Sequence, residues 1–406
     1  MAVTIVQNVQ LFQPVYNPIR FVLSSTNVAQ PNFKFVADLY VSGVVGRVWR
    51  GVYSADPTYA TASVDISRVL ESYITYDFDD TVYGFQQCTN SLKGYEVKFG
   101  EQYGVSSGIV TYQNLTVTGL KYAWNAVLDT NTFRNFNYAN YTPYSGNTIL
   151  STQPSTLYYH SSNEHAYQYM LNDTSGIVYY ARIDTYNTSN ALIGTYTIEN
   201  PYQSSSSISD KMIRIGVGYQ DLNNSTLASG IQPVITASVA WYSVVMQQFN
   251  GNRTTNVYNY NLDCLWHQTI PISLFFLNRK GGFDCFNFRM QTKKMSDIKR
   301  DTMQKNLGTL TATTWNYVAK DRGVTVYNTE IGDRWQIESD WINDDQSLWL
   351  QELVESPEVY YHDTTDMIPV TIKNTSYEVK TIKNMEKLFN LSIEIEFSNK
   401  RWAQRG

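Results

Sequence analysis

A chain of 406 residues is longer than one ordinary hydrophobic core can organise, so the sequence predicts two or three domains. Its net charge is −5 and 17% of its residues are charged, which argues against nucleic-acid binding, since phosphate contacts need a basic excess. Polarity comes instead from Tyr, Asn, Thr, Ser and Gln. The aromatic content of 14% favours strands, and we therefore expect a mainly β, multi-domain fold.

Residues 1–115 predict a β-sandwich-like domain. Apolar and polar side chains alternate through 33–41 and again through 95–99, which is the period of a strand with one buried face. One short helix interrupts the strands, with Asp65 as its cap and an apolar stripe of Ile66, Val69, Leu70 and Tyr73. Several strands with one crossing helix are typical of a sandwich of about 100 residues.

Residues 116–260 predict an irregular, β-rich central domain. The Asn- and Tyr-rich stretch 125–162 indicates a long loop or a series of short strands. A run of four serines at 204–207 predicts an exposed loop tip. Clear strand patterns return at 177–183, at 213–219 and at 234–246, the last of them beginning just after Pro233.

Residues 261–406 predict a third domain, which begins with a β-hairpin. Its strands are 272–277 and 283–288, and Gly281 and Gly282 in the connecting loop can adopt positive φ. A hairpin with such a loop is among the strongest local signals in the chain.

The same C-terminal domain predicts a strand, one clear helix and further strands, an α+β unit. Alternation through 335–341 indicates the first strand. The helix is capped by Asn343 or Asp344, and proline at 357 ends it at residue 356. Its buried stripe is Gln346, Trp349, Leu350, Leu353 and Val354, and the closing strands are 368–373, 377–382 and 391–397.

The cysteines and the N-terminal residues indicate the cellular compartment in which the chain folds. Cys88, Cys264 and Cys285 are odd in number and form no C-x-x-C pair, so neither a disulfide framework nor a zinc ribbon is expected. The N-terminal MAVTIVQNVQLFQP has no basic segment followed by an apolar one, and no apolar run reaches membrane-spanning length. We expect neither a signal peptide nor membrane insertion, and folding in a reducing cytosol.

The histidines offer no clear metal-ligand pattern. His160 and His165 lie five residues apart, which is not the i, i+4 spacing of a zincin helix, and both are interpreted as surface residues. His267 is isolated. His362 lies near Asp363 and Asp366, in what the sequence predicts to be a polar connector between a helix and a strand.

Acidic pairs are equally inconclusive as catalytic candidates. The group Asp77, Asp79 and Asp80 predicts a turn after a helix, and the pair Asp344 and Asp345 predicts a helix N-terminus, where negative charge is favourable. Nucleophile-elbow, phosphate-loop and dinucleotide-binding glycine patterns do not occur in the sequence. The sequence therefore predicts no enzyme, no catalytic, cofactor-binding or metal-binding residues, and no cofactor.

The remaining cluster of charge is basic. Lys293, Lys294, Lys299 and Arg300 are interrupted by acidic residues, so they predict a solvated face or a short helix and no phosphate-binding stripe. The aromatic residues permit stacking on sugars. Combined with few charges, they fit protein interfaces better, because interfaces are enriched in Tyr, Trp and Phe and depleted in Lys, Glu and Asp.

Six strings carry a resemblance to a known group of proteins: YNPI at 16–19, QPNF at 30–33, VDISRVL at 64–70, VKFGEQY at 97–103, YAWNA at 122–126 and FLNRKGGF at 276–283. Together they resemble virion structural proteins of tailed phages that infect Bacteroidetes, the crAss-like phages among them. The order strand, Trp-containing helix, Ser-Pro and strands near the C-terminus is also similar to a phage tail component. Residues 127–260 carry no resemblance.

The resemblance implies a virion protein, assembled in the host cytoplasm, and carries over no functional residues. The leading hypothesis is a tail or baseplate protein that forms a ring-like homo-oligomer and docks other virion proteins. A neck, head-completion or capsid-decorating protein is an alternative. A glycan- or receptor-binding module is another, and a polysaccharide-cleaving enzyme would need an acid/base pair that the sequence does not indicate.

Overall fold

A computed structural model of the chain describes residues 3–79, 81, 83–104, 113–143, 149–159, 164–173, 177–204, 206–227, 233–262, 271–320, 322–363, 366–374 and 390–402. The chain divides into two compact units. Unit 1 comprises Met1–Leu265 and Leu277–Cys285, and unit 2 comprises Trp266–Phe276 and Phe286–Gly406. The described residues form 26 strands and four α-helices, so the predicted mainly β, multi-domain fold is confirmed. The three-domain division stays a prediction.

The first elements of unit 1 are, in chain order, β1 (Val3–Gln7), β2 (Phe12–Pro14), β3 (Arg20–Ser25), β4 (Lys34–Val41), β5 (Trp49–Tyr53), β6 (Thr61–Asp65), α1 (Ser67–Glu71), β7 (Phe85–Gln87), β8 (Leu92–Gln102), β9 (Gln113–Val117) and β10 (Lys121–Trp124). One sheet has the order β1-β3-β6. A second has the order β2-β10-β8-β4-β5, with β9 also paired to β8. β10 lies beyond residue 115, yet it pairs with strands that precede that position.

The core of this region lies between the two sheets, which makes it sandwich-like as expected. The inward residues of β3 and β6 share one cluster with those of β4 and β8. Phe21 and Phe99 meet edge to face across it, with ring centroids 5.1 Å apart. Because each fully buried large apolar side chain contributes about 1.5–3 kcal/mol, the apolar positions of these strands are also the main source of stability here.

The helix of this region begins slightly later than predicted. Its N-cap is Ile66, whose side chain caps nothing, so Asp65 is not the cap in the strict sense. The Asp65 carboxylate nevertheless accepts hydrogen bonds from Ser67 N and Ser67 Oγ at 3.0 and 2.8 Å, and so still holds the first turn. Ile66 and Leu70 are fully buried, as the stripe predicted.

The later elements of unit 1 are α2 (Thr130–Arg134), a 3-10 helix (Tyr138–Tyr141), β11 (Thr156–Tyr159), β12 (Tyr167–Leu171), β13 (Tyr180–Tyr186), β14 (Leu192–Glu199), a 3-10 helix (Ser209–Lys211), β15 (Met212–Gly216), α3 (Tyr219–Asn224), β16 (Trp241–Gln247) and β17 (Tyr258–Leu262). They form a five-stranded sheet of order β11-β17-β16-β13-β14 and a three-stranded sheet of order β12-β15-β7. The sequence patterns do not predict β12, β14 or β17. Short helices and one strand lie in the described part of the stretch predicted as a loop or short strands.

Three strand predictions in this region are wrong at their ends. The strand expected at 177–183 is β13, which runs from Tyr180 to Tyr186. The strand expected at 234–246 begins only at Trp241, because the Asn223 side chain takes both backbone groups of Ile235 that a strand ladder would use. The strand expected at 213–219 ends at Gly216, because Asp221 accepts from Gly218 N at 3.1 Å and starts α3.

The strands of the predicted hairpin are β18 (Ile272–Leu277) and β19 (Phe283–Phe288), as the sequence predicted. Asn278 organises the turn, since its side chain accepts from Lys280 N at 2.9 Å and from Gly282 N at 3.1 Å. Gly281 has φ +89°, whereas Gly282 has no positive φ, so only one of the two glycines uses the expected freedom.

The elements after the hairpin are β20 (Thr292–Gln304), β21 (Thr309–Leu310), β22 (Trp315–Asn316), β23 (Val324–Glu338), α4 (Asp344–Glu355), β24 (Val359–Asp363), β25 (Asp366–Ile372) and β26 (Ser392–Phe397). A seven-stranded sheet has the order β19-β18-β24-β25-β26-β23-β20. The connector predicted around His362 is in fact the strand pair β24 and β25. The strand predicted at 377–382 lies outside the described residues.

Helix α4 follows the sequence prediction closely. Asn343 is the cap and forms a capping box with Gln346, whose backbone N donates to Asn343 Oδ1 at 2.9 Å. Trp349, Leu350 and Leu353 are buried, and Trp349 meets Phe276 with ring centroids 5.9 Å apart. No helix within the described ranges is long and apolar enough to cross a bilayer.

Candidate assembly surface

The longest element pair of unit 2 is a two-stranded ribbon formed by β20 and β23. We call residues 292–338, from the start of β20 to the end of β23, the arm. The two strands pair antiparallel from Thr292 and Ile337 outward to Gln304 and Val324. Thirteen residues of strand span roughly 40 Å, since each adds about 3.3 Å. β26 pairs only with the part of β23 from Arg334 to Glu338.

The arm therefore has two kinds of surroundings. At its base β26 adds a third strand, and Arg334 pairs there with Glu394 at 2.8 Å. Farther out, one bridge joins Ile331 to Arg401, and no third strand in the described part of the chain pairs with the remainder. Isolated two-stranded ribbons are at best marginally stable in water, so the outer arm lacks the packing that usually holds such a structure.

Burial confirms how little of the arm is covered. Of the described residues from Met290 to Gln336, none is buried, and most residues of β20 are exposed. Surface ion pairs such as Lys400 with Glu330 at 3.1 Å contribute only about 0–1 kcal/mol each, so they do not replace a core.

The end of the arm, residues 305–323, is a turn that we call the tip, and its described residues contact one another. β21 and β22 pair within it, and Trp315 Nε1 donates to the Leu307 carbonyl oxygen at 2.7 Å. Gly308 has φ +89° and lies against the Trp315 indole, where a side chain would collide. These contacts give the tip a defined conformation although its residues are exposed.

The tip is apolar for a surface turn, because large side chains cover it. Leu310 is 68% exposed and Tyr317 is 74% exposed. The full set of exposed large apolar residues in the described part of the tip is Leu307, Leu310, Trp315, Tyr317 and Val318. Five exposed apolar side chains within one turn make the tip a candidate interaction site, since exposed apolar patches mark such sites.

The basic residues of the predicted cluster all lie on β20. Lys293, Lys294, Lys299 and Arg300 are exposed, as predicted for a solvated face, but they lie on a strand and not on a short helix. Lys294 Nζ lies 3.9 Å from the centroid of the Trp335 ring. The arm carries eight Lys or Arg and six Asp or Glu residues, so it is weakly basic on a protein whose net charge is −5.

The described histidines do not assemble a site. His165, interpreted from sequence as a surface residue, is buried, and its Nδ1 lies 2.7 Å from Asp221 Oδ1. Asp221 also accepts from Ala166 N at 3.0 Å, so the pair ties the start of β12 to α3. His160 and His267 lie outside the described residues.

The acidic candidates serve local structure. Asp77 accepts from Asn90 N at 2.7 Å, which fixes a turn, and Asp79 accepts from Thr81 Oγ1, a hydrogen bond that lowers the pKa of the Asp79 carboxyl. Asp344 and Asp345 lie in the first turn of α4, as predicted. Asp80 lies outside the described residues.

Metal-ligating clusters are likewise lacking in the described ranges, where no group of three His, Cys, Asp or Glu side chains could hold an ion. His362 and Asp363 lie on β24 and Asp366 opens β25, so all three belong to one hairpin. Both described cysteines, Cys88 and Cys285, are buried, and Cys264 lies outside the described residues. Burial raises the pKa of the Cys88 thiol, which keeps it protonated and unreactive.

One buried polar group is not anticipated by any sequence pattern. Arg214 on β15 is almost wholly buried, and its guanidinium donates to the Gln86 side chain and to the Asp79 carbonyl oxygen. Its Cζ lies 4.7 Å from the centroid of the Tyr167 ring. These contacts join β15 to β7 and β12, so the role of Arg214 is structural.

A scan against models of known protein families finds no match to this sequence, and a search of the curated proteins finds no significant similarity.

Proposed function

We propose that this protein is a non-catalytic structural component of a tailed-phage virion, a tail or baseplate protein that forms a ring-like homo-oligomer. The single observation that carries the assembly part of this proposal is the arm, a ribbon whose described residues from 290 to 336 are all unburied and whose tip is apolar. The virion part rests on the resemblance of the six sequence strings.

The energetics favour a covered tip. Burying one large apolar side chain contributes about 1.5–3 kcal/mol, and the tip exposes five of them. Association costs at least several kcal/mol in lost translational and rotational freedom, so a tip that docks as a unit can offset that cost, whereas one side chain cannot.

The partner that we propose for the tip is a second copy of the same chain. The arm is weakly basic, with eight basic and six acidic residues, while the whole chain has a net charge of −5, so the rest of the chain is acidic. An arm that meets the acidic surface of its neighbour makes a head-to-tail contact. Repeated head-to-tail contacts close into a ring when the rotation between subunits allows it.

The test compares the purified full-length chain with two apolar-to-acidic variants by mass photometry across a concentration series. Leu310→Asp places a charge in the tip, and we expect the oligomer to weaken by at least about tenfold, because each 1.4 kcal/mol is a factor of ten in affinity. Val45→Asp is the matched control, because Val45 is fully exposed in the loop after β4 of unit 1, and it should assemble like the wild type.

Near-UV circular dichroism checks that both variants keep the wild-type fold. If the wild type and Leu310→Asp assemble equally well, the tip is not part of the interface. A wild-type chain that stays monomeric at every concentration would contradict the ring.

The position on the particle is tested separately by immunogold labelling of a tagged copy on intact virions. We expect label on the tail or baseplate. Label at the neck or over the capsid would contradict the tail assignment in favour of a neck or decorating role, and unlabelled particles would contradict a virion role altogether.

A further inference from the structure

A small cleft lies at one end of the five-stranded sheet of unit 1. Its volume is about 410 Å³. Three of its side chains come from adjacent strands and lie directly opposite one another: Tyr158 pairs with Asn261, and Asn261 pairs with Trp241. Residues directly opposite in a sheet share one face, so these side chains form a row. Because strands lie about 4.8 Å apart, the backbone positions of Tyr158 and Trp241 are roughly 10 Å apart, with Asn261 between them.

Trp241 is held in place before any ligand arrives. Its indole stacks on Tyr186, with ring centroids 3.9 Å apart and planes within 6°. Its Nε1 donates to Asn190 Oδ1 at 2.9 Å. A ring fixed by stacking and by a hydrogen bond loses little conformational freedom when a ligand binds.

The turn that borders the cleft is fixed as well. The Asn187 side chain accepts from Ser189 N and from Ala191 N, both at 2.9 Å. Asn190 has φ +59°, the left-handed conformation that Asn tolerates better than most residues. The Asn190 amide that orients Trp241 is therefore itself held by a structured turn.

The chemistry of the cleft is neutral and rich in amides. Asn187, Thr188, Asn190 and Asn261 line it together with the two aromatic rings, and none of the described lining residues is charged. Within the described part of the chain, no hydrogen bond occupies the side chains of Thr188 and Asn261. An amide offers a donor and an acceptor side by side, which matches two neighbouring hydroxyl groups.

We propose that this cleft binds a neutral oligosaccharide. A pyranose ring presents an apolar face of C–H groups, which packs on Tyr158 and on the side of the Trp241 indole that faces away from Tyr186, and its hydroxyl groups bond to Asn261 and Thr188. An acidic saccharide would find no cation among the described lining residues, and a charged peptide would find no counter-ion there. The site is independent of the arm and of the ring that we propose for it.

The experiment is affinity electrophoresis of the full-length chain in gels that contain soluble neutral polysaccharides: a β-glucan, a xylan, a galactomannan and an α-glucan. Polygalacturonate serves as the acidic comparison. We expect retardation by at least one neutral polymer. Tyr158→Ala and Trp241→Ala should each weaken that retardation by at least about tenfold, the effect of losing one good stacking contact worth about 1.4 kcal/mol.

Tyr59→Ala is the matched control, because Tyr59 is an exposed aromatic residue of unit 1 outside the cleft, and its retardation should stay within about twofold of the wild type. Tyr158 is more than half exposed, so its variant keeps the test decisive even if Trp241→Ala fails to fold. The proposal is overturned if no neutral polymer retards the wild type, if polygalacturonate retards it more strongly than they do, or if Tyr158→Ala binds like the wild type.

Discussion

Replacing Gly281 by alanine should destabilise unit 1 strongly, for two separate reasons. Gly281 has φ +89°, a conformation that costs an L-residue about 1–2 kcal/mol. A Cβ there would lie 1.9 Å from the carbonyl oxygen of Asn125. That neighbour is backbone, so the overlap can be relieved only by moving the turn of the hairpin and the Asn125 segment apart.

Moving that turn breaks hydrogen bonds that the structure defines. Val127 N donates to the Arg279 carbonyl oxygen at 2.8 Å, and Trp124 Nε1 donates to the Lys280 carbonyl oxygen at 3.1 Å. Losing both adds about 2 kcal/mol, at roughly 1 kcal/mol for each bond. We therefore expect Gly281→Ala to lower the free energy of unfolding of unit 1 by about 3–4 kcal/mol.

The matched control is Gly119→Ala. Gly119 has φ +73°, but no neighbouring atom lies within 4 Å of the position that a Cβ would occupy, so alanine there meets only the conformational cost of about 1–2 kcal/mol. Urea unfolding followed by tryptophan fluorescence measures both variants, and hydrogen exchange across 122–128 reports the hairpin contact directly. Equal destabilisation by the two substitutions would refute the steric part of the reasoning.

Three further substitutions test the packing. Ile393→Asp should lower the free energy of unfolding by about 3–4 kcal/mol, because Ile393 is 1% exposed and the substitution would bury a charge. Ser392→Asp on the exposed face is the control and should change that free energy by less than about 0.5 kcal/mol, as urea unfolding can measure. Asn343→Ala should lower the free energy of unfolding by about 1 kcal/mol, because it removes the N-cap of α4. Faster hydrogen exchange confined to the first turn of α4 would report the loss of the cap. Asp38→Ala should lower the free energy of unfolding by about 1–3 kcal/mol, because the buried Asp38 carboxylate accepts two hydrogen bonds from Arg50 at 2.6 and 2.7 Å. An unchanged urea midpoint would contradict a stabilising role of this pair.

Much of the sandwich and of α4 could be predicted from sequence because the apolar period of each element marks its buried face. In β26, Ile393 and Ile395 are buried, while Ser392 and Glu394 between and beside them are not. α4 adds a capping box and a terminating proline, which are local signals that need no knowledge of the fold.

Most of the arm could not be predicted in the same way. The alternation through 335–341 marks only the inner end of β23, which ends at Glu338. β20 is solvated on both faces, so its sequence carries no apolar period, and its Lys and Arg residues indicate a solvated face or a short helix equally well.

The cleft could not be predicted from sequence for a different reason. Its row joins Tyr158 to Asn261 through the parallel pairing of β11 with β17, two strands about 100 residues apart, and such pairing leaves no trace in either segment alone.

Electron microscopy of the purified full-length chain, with two-dimensional class averages, decides whether the chain forms a ring through its tip. We expect closed rings in which the tip, residues 305–323, lies in the contact between neighbouring subunits. These rings should disappear in Leu310→Asp and persist in Val45→Asp. Separate single chains for the wild type at every concentration, or rings whose tips point freely into solvent, would contradict the proposed assembly.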